Sequence, residues 1–132
     1  MEVFTENPVL GHISTFGGHP VSAASALATL QVIQEEDLLS SVRKKERLFH
    51  ELLVHPAIKE YRSKGLLMAL EFESYGIVKP IIDEAIRLGV VTDWFLFNDS
   101  SMRIAPPLII TEVEIRKACD IILQAIDKMV PS

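Results

Sequence analysis

The spacing of apolar residues predicts four helices along the chain. Residues 20–34 begin with Pro20, which is favoured at the first position of a helix, and they carry apolar side chains on every side. Residues 38–53 separate an apolar stripe from a basic one, as an amphipathic helix does. A short helix is predicted over 78–87, and a last one follows Thr111. We therefore expect the first helix to be buried on most sides and the second on one side only.

Short apolar runs between these helices predict strands. The four runs, bounded by turn-forming residues, are 66–72, 90–92, 95–97 and 101–104. Asn98 and Asp99 are predicted to form the turn between the last two. Thr111 and Glu114 match a capping box, in which each side chain accepts a hydrogen bond from an unpaired N–H at a helix start. This order predicts an α+β fold with helices packed on one face of a small, mostly antiparallel sheet.

The composition fits one domain with apolar surface left to cover. Of the 132 residues, 48% are hydrophobic, and the mean hydropathy is +0.26. That is more apolar than a domain needs if its whole surface meets water, so we expect part of the surface to meet another chain or a missing domain. The net charge is -5 and no long basic cluster occurs, which argues against nucleic acid as a partner.

Three features predict a cytoplasmic location without membrane attachment. Cys119 is the only cysteine, so no internal disulfide can form and a reducing compartment is expected. Residues 7–34 contain no Asp, Glu, Lys or Arg. Glycines and a proline interrupt this stretch, however, and the remainder is too short and too weakly apolar to cross a bilayer. No basic segment followed by an apolar run opens the sequence, so a secretory signal is not predicted.

The segment ahead of the first helix is one candidate binding site. Ser14 and Thr15 offer hydroxyls, and Gly17 and Gly18 bring backbone N–H groups close to a helix start. Such an arrangement can bind an anion at the positive end of a helix. The helix dipole contributes only about 0.3–1 kcal/mol at an exposed site, so hydrogen bonds would supply most of the affinity. The alternative is a simple glycine turn, since no Walker or dinucleotide fingerprint is present.

Arg103 is the second candidate, because it interrupts an apolar strand that ends at Pro106 and Pro107. Its charge must find a carboxylate, a phosphate or water. The planar guanidinium suits bidentate binding of a carboxylate. The alternative is an edge-strand arginine that reaches solvent.

The four histidines predict no metal site. His12 and His19 lack a third ligand at a suitable spacing, and His50 and His55 flank the end of a predicted helix. Surface or capping roles are the simpler interpretation of all four.

Three motifs in this order resemble the class III aminotransferases of the ornithine and acetylornithine type. The first is the hydroxyl and glycine segment Ser14–Pro20, the second is Ser63–Leu67, and the third is the Arg-Ile-Ala-Pro-Pro-Leu segment Arg103–Leu108. The resemblance runs from about Asn7 to Val130. It implies the C-terminal small domain of a fold-type I pyridoxal-phosphate enzyme over 38–132. A loop and linking helix over 1–37 would join it to a large cofactor domain.

The resemblance also implies roles for individual residues. Thr15, with help from Ser14, would bind the phosphate of pyridoxal phosphate in the neighbouring subunit of a homodimer. Arg103 would hold the α-carboxylate of the substrate. The implied substrates are an amino acid and a 2-oxo acid. His19 stands where many members of the family carry asparagine.

The family's lysine that forms the Schiff base with the cofactor lies upstream of the Thr15 segment, and no lysine precedes Lys44 here. We therefore expect no catalytic residue in this chain, an inactive chain by itself, and a parent enzyme of which it is a fragment. One alternative is a stand-alone α+β binding or dimerisation module. Another is a class III relative that acts as a decarboxylase, racemase or mutase.

Overall fold

The computed structural model describes residues 15–130, which fall into two compact units that meet in the sequence at Asp37 and Leu38. The elements in chain order are α1 (Pro20–Glu35), α2 (Val42–Leu52), β1 (Glu60–Lys64), β2 (Leu67–Glu71), α3 (Tyr75–Arg87), β3 (Asp93–Phe95), β4 (Asn98–Ile104) and α4 (Glu112–Met129). None of the helices between residues 15 and 130 is long and apolar enough to span a membrane.

The described part of the first unit is a turn followed by helix α1. Gly18 adopts a left-handed φ of +75°, and the His19 N–H donates to the Phe16 carbonyl at 3.1 Å, which closes the turn before Pro20 starts the helix. The predicted helix is present, but none of its residues is buried within the chain. The expected burial on most sides is therefore not provided by residues 15–130, in which the first unit has no second helix or strand beside α1.

The second unit is a four-stranded antiparallel sheet with helices on one face. The strand order is β1-β2-β4-β3, so the two hairpins β1–β2 and β3–β4 meet where β2 pairs with β4. Alternate residues of each strand point to opposite faces. The face that meets the helices carries Met68, Leu70, Met102 and Ile104, all of them buried. The predicted α+β fold with a small antiparallel sheet is confirmed.

Helices α2, α3 and α4 cover this face and form the core. Their fully buried side chains include Phe49 from α2, Ile81 from α3 and Ile122 from α4. Thr111 caps α4 as predicted: its Oγ1 accepts from the Glu114 N–H at 3.3 Å, and its own N–H donates to the Glu114 carboxylate at 2.8 Å.

Several predicted boundaries are wrong, and one strand was missed. Residues 90–92 form no strand; β3 begins one residue later at Asp93. The turn between β3 and β4 is formed by Leu96 and Phe97, and the expected turn residues Asn98 and Asp99 instead open β4. Strand β1 was not predicted, because it has only one partly buried residue, Tyr61, and thus no apolar alternation.

Candidate functional site

The sheet face opposite the helices, which we call the open face, carries a group of mostly polar residues. Its members are Arg62 on β1, Ala69 and Glu71 on β2, Asp93 on β3, and Ser101 and Arg103 on β4. The strand register sets them in two rows. Arg62, Ala69, Arg103 and Asp93 follow one another across the sheet in the first row, and Glu71 faces Ser101 in the second.

Arg103 binds a carboxylate on the neighbouring strand. Its Nε donates to Asp93 Oδ1 at 2.7 Å, and its Nη2 donates to Asp93 Oδ2. The two side chains are 45% and 46% exposed, so the pair lies at the surface of the sheet. The hydroxyl of Thr92 donates to the Arg103 carbonyl at 2.5 Å and fixes the backbone there. The charge of Arg103 thus finds a carboxylate within the chain, which is one of the partners that the sequence predicted.

Glu71 is the centre of a hydrogen-bond network beside this pair. Ser100 Oγ donates to its carboxylate at 2.5 Å, Arg62 Nη2 at 2.7 Å and Asn98 Nδ2 at 3.0 Å, and Ser101 Oγ donates as well. These donors stabilise the charged form, first Ser100, then Ser101 and Arg62, and they lower the pKa of Glu71 to about 2. The network therefore keeps Glu71 ionised and holds β1, β2 and β4 together on the open face.

Arg62 is held by two carboxylates. Besides Glu71, it donates to Glu60 at 2.6 Å. Hydrogen bonds to Glu71 and then to Glu60 raise the pKa of Arg62. Its charge is thus compensated inside the network, whereas Arg103 has one carboxylate partner among residues 15–130, Asp93.

A pocket of about 480 Å³ opens between the two arginines. We call it the arginine pocket. Ala69 lies between Arg62 and Arg103 and leaves room there, since its side chain is a single methyl group. The turn residues Leu96 and Phe97, with Phe95 and Asn98, supply the remaining lining. The pocket therefore combines an apolar wall with guanidinium groups, a combination suited to a carboxylate on an apolar or alkyl chain.

The segment after Arg103 is held in place by α2. The Lys45 ammonium donates to the Leu108 carbonyl at 2.5 Å, and the Ile110 N–H donates to the Pro107 carbonyl at 3.0 Å. The Arg103–Leu108 motif is thus a strand end followed by a pinned turn, which fixes the backbone that presents Arg103.

The other predicted site residues lie in the first unit. Thr15 is exposed in the turn before α1, and Ser14 lies outside the described residues. The glycine turn that the sequence offered as an alternative is present at Gly17 and Gly18. Thr15 and Arg103 belong to different units, so a shared pocket formed by the two stays a prediction.

The three histidines that the structure describes occupy surface and packing positions. His50 packs edge-on against Tyr61 with ring centroids 4.9 Å apart, and His55 Nε2 lies 3.0 Å from Asp127 Oδ1. His19 precedes α1 without a side-chain cap, and His12 is outside the described range. Within residues 15–130, no group of three or more His, Cys, Asp or Glu could hold a metal ion.

All seven lysines belong to the described part of the chain, and none of them is buried. Five have polar partners there: Lys44 with Glu112, Lys45 with the Leu108 carbonyl, Lys59 with Glu73, Lys79 with Asp83, and Lys128 with Glu84. A lysine that binds a carbonyl cofactor needs a low pKa, which desolvation in an apolar pocket can provide. Of these lysines, Lys117 is exposed at the edge of a largely apolar pocket, and the absence of a cofactor-binding lysine from this chain stays a prediction.

The chain belongs to the class III aminotransferase family, whose sequence model matches residues 1–126. Over 117 residues it is 38% identical to the acetylornithine aminotransferase of Methanosarcina acetivorans. This match covers 86% of this chain and 29% of that protein.

Solved transaminases share the fold. One obtained by ancestral reconstruction matches with a TM-score of 0.76 at 30% identity and covers 90% of this chain and 29% of its own. The adenosylmethionine-8-amino-7-oxononanoate aminotransferase of Methanocaldococcus jannaschii matches with a TM-score of 0.76 at 25% identity, over 95% of this chain and 31% of its own. The chain thus spans less than a third of each of these proteins.

Proposed function

We propose that this chain is the C-terminal part of a pyridoxal-phosphate-dependent aminotransferase that moves an amino group from an amino acid to a 2-oxo acid. In this proposal, Arg103 holds the α-carboxylate of the substrate. The observation that carries it is the position of Arg103 on the open face, where its guanidinium already binds one carboxylate and also lines an open pocket.

Residues 38–132 would be the small domain of that enzyme, and residues 1–37 the link to its large cofactor domain. Thr15 would bind the cofactor phosphate, because it offers an exposed hydroxyl close to the start of α1. Ser14 would assist. The lysine that holds the cofactor ring would come from outside this chain, so the chain by itself is expected to be inactive.

The chemistry divides between the cofactor and these residues. Pyridoxal phosphate, when bound, supplies the electron sink that lets the substrate lose its α-proton. Arg103 binds the carboxylate and so orients the amino acid, while Phe95 and Leu96 line the same pocket and offer apolar contact to the rest of the substrate. Thr15 holds the phosphate and fixes the position of the cofactor.

The exposed helix α1 supports assembly as a homodimer. Val21, Leu27 and Leu30 are each more than half exposed, which is costly for large apolar side chains unless another surface covers them. A second subunit that covers α1 would also bring Thr15 to the partner's cofactor. The single, buried Cys119 suits the reducing cytoplasm, where we propose that the enzyme acts.

Replacement of Arg103 tests the substrate role. In the complete aminotransferase, Arg103→Ala should raise KM for the amino acid by about ten- to a hundredfold, because it removes charge-assisted hydrogen bonds worth about 1.5–3 kcal/mol. An amine substrate that lacks a carboxylate should be used as before. Arg47→Ala, an exposed arginine on α2, is the matched control. An unchanged kcat/KM for the amino acid in the Arg103 variant would reject the assignment.

The phosphate role is tested by cofactor retention. Thr15→Ala should lose pyridoxal phosphate faster during dialysis, followed by cofactor absorbance. Thr29→Ala is the control, because its hydroxyl donates to the Ser25 carbonyl within α1, at 2.9 Å. Equal retention in the Thr15 variant and the parent would count against the contact.

A further inference from the structure

We infer that Asp93 is a positioning residue for substrate binding: its carboxylate binds one edge of the Arg103 guanidinium, so that the other edge can bind the substrate carboxylate. This inference rests on the proposed role of Arg103 and extends it to a residue on the neighbouring strand. Asp93 has no other assigned role in the site.

The first support is which atoms of Arg103 are engaged. Asp93 accepts from Nε and from Nη2, which is the side edge of the guanidinium. A guanidinium has five N–H donors in a rigid plane, so the end edge formed by Nη1 and the second Nη2 hydrogen is left for another carboxylate. One arginine can therefore bind Asp93 and a substrate at the same time, without exchange of one for the other.

The second support is the arrangement of space around Arg103. Asp93 lines a pocket of about 270 Å³ together with Val91, Thr92 and Arg103. The larger arginine pocket is lined by Arg103 but not by Asp93. Arg103 thus borders both spaces, with its partner carboxylate in one and open room in the other. A substrate that enters the arginine pocket meets the guanidinium and not the aspartate.

The third support is that, among residues 15–130, Asp93 is the side chain that holds the Arg103 guanidinium. The Arg103 side chain is nearly half exposed, and a long exposed arginine samples many rotamers unless a partner selects one. Arg62, in contrast, is held by Glu60 and Glu71 and already compensated. Asp93 thus provides the orientation for Arg103 that the Glu71 network provides for Arg62.

Asp93 has two opposing effects on substrate binding: its charge repels the substrate carboxylate, and its hydrogen bonds orient Arg103. The larger of the two decides whether loss of Asp93 raises or lowers KM. Two charges about 6 Å apart in a water-like, salt-screened setting change an affinity by about twofold or less. Ordering a flexible side chain in advance is worth about two- to tenfold. The two hydrogen bonds to Asp93 restrict the guanidinium strongly. The orienting effect should therefore exceed the charge repulsion, and the loss of Asp93 should weaken substrate binding.

The test compares KM and kcat in the complete aminotransferase for the parent, Asp93→Ala and Arg103→Ala. Asp93→Ala should raise KM for the amino acid by about fivefold with kcat changed less than twofold, and it should leave an amine without a carboxylate unaffected. In an Arg103→Ala background, adding Asp93→Ala should change nothing further, because Asp93 acts through Arg103. Asp93→Asn, which keeps the size and one acceptor oxygen, should give a smaller increase than Asp93→Ala.

Asp83→Ala is the matched control, an exposed aspartate that pairs with Lys79 at 2.6 Å on α3, and its KM should equal that of the parent. An unchanged or lowered KM in Asp93→Ala, alongside a raised KM in Arg103→Ala, would overturn this inference and leave the proposed function standing. A parent enzyme without transamination, or an Arg103 variant without effect, would instead reject the proposed function.

Discussion

Acid sensitivity of the open face is expected to depend on Glu71. Its carboxylate accepts hydrogen bonds from three residues besides Arg62, and its side chain is only 20% exposed. In Glu71→Gln, the amide loses the charge and turns an NH₂ group toward donors. Hydrogen bonds to a charged group contribute about 1.5–3 kcal/mol, so the variant should lose about that much free energy of unfolding at pH 7. The melting temperature should fall by roughly 4–8 °C for each kcal/mol.

The stability lost in Glu71→Gln should depend on pH in a specific way. The folded pKa of Glu71 lies at about 2, below its usual 4.5. A carboxyl with a depressed folded pKa contributes stability that is fully present above about pH 5 and disappears as the pH falls toward 2. The difference between parent and variant should therefore be constant from pH 5 to 8 and shrink at lower pH. The pKa of Glu84 is also lowered to about 2, by Arg87 and then Lys128, but both proteins share this group and its effect cancels.

Urea unfolding followed by the fluorescence of Trp94, the only tryptophan, measures this difference. Trp94 packs edge-on against Tyr75 with ring centroids 5.4 Å apart, so unfolding should change its emission. Glu60→Gln is the control: it removes a pair with the same Arg62, at 2.6 Å, but the Glu60 side chain is 58% exposed. That pair should be worth less than about 1 kcal/mol. A gap between Glu71→Gln and parent that persists undiminished at pH 3 would refute the assignment.

Two further predictions concern local backbone geometry and are read out by urea unfolding. Gly65→Ala should destabilise the chain by at least about 1–2 kcal/mol, since Gly65 has a left-handed φ of +60° and an added Cβ would lie 2.9 Å from Val42 Cγ1. A variant as stable as the parent would contradict this. Thr111→Ala should cost about 1 kcal/mol through loss of the cap on α4, and an unchanged midpoint would show that the capping box contributes nothing.

Parts of this fold were predictable because the signal is local. The capping box fixes the start of α4 from two residues, Thr111 and Glu114, and the amphipathic spacing of α2 identifies its buried side. The interruption of an apolar run by Arg103 has the same local origin, since strand alternation places Met102 and Ile104 in the core and Arg103 on the open face. In each case the pattern depends on neighbours within one or two turns of chain, which the sequence displays directly.

The partner of Arg103 was not predictable in this way. Asp93 faces Arg103 because the hairpin turns at Leu96 and Phe97 and its register shifts between Trp94 and Phe95. A turn at Asn98 and Asp99, which the residue types favour, would have aligned different pairs. The Glu71 network depends likewise on pairing between β2 and β4, which are separated in sequence by α3. Glu71 could have been singled out only as a charged residue at the end of an apolar run.

The most direct test is a crystal structure of the complete aminotransferase with an amino acid bound at its cofactor. The account predicts the α-carboxylate on the end edge of Arg103, at about 2.7–3.2 Å from its nitrogens, with Asp93 still on the side edge. A substrate carboxylate held by other residues, with Arg103 remote from it, would contradict the account.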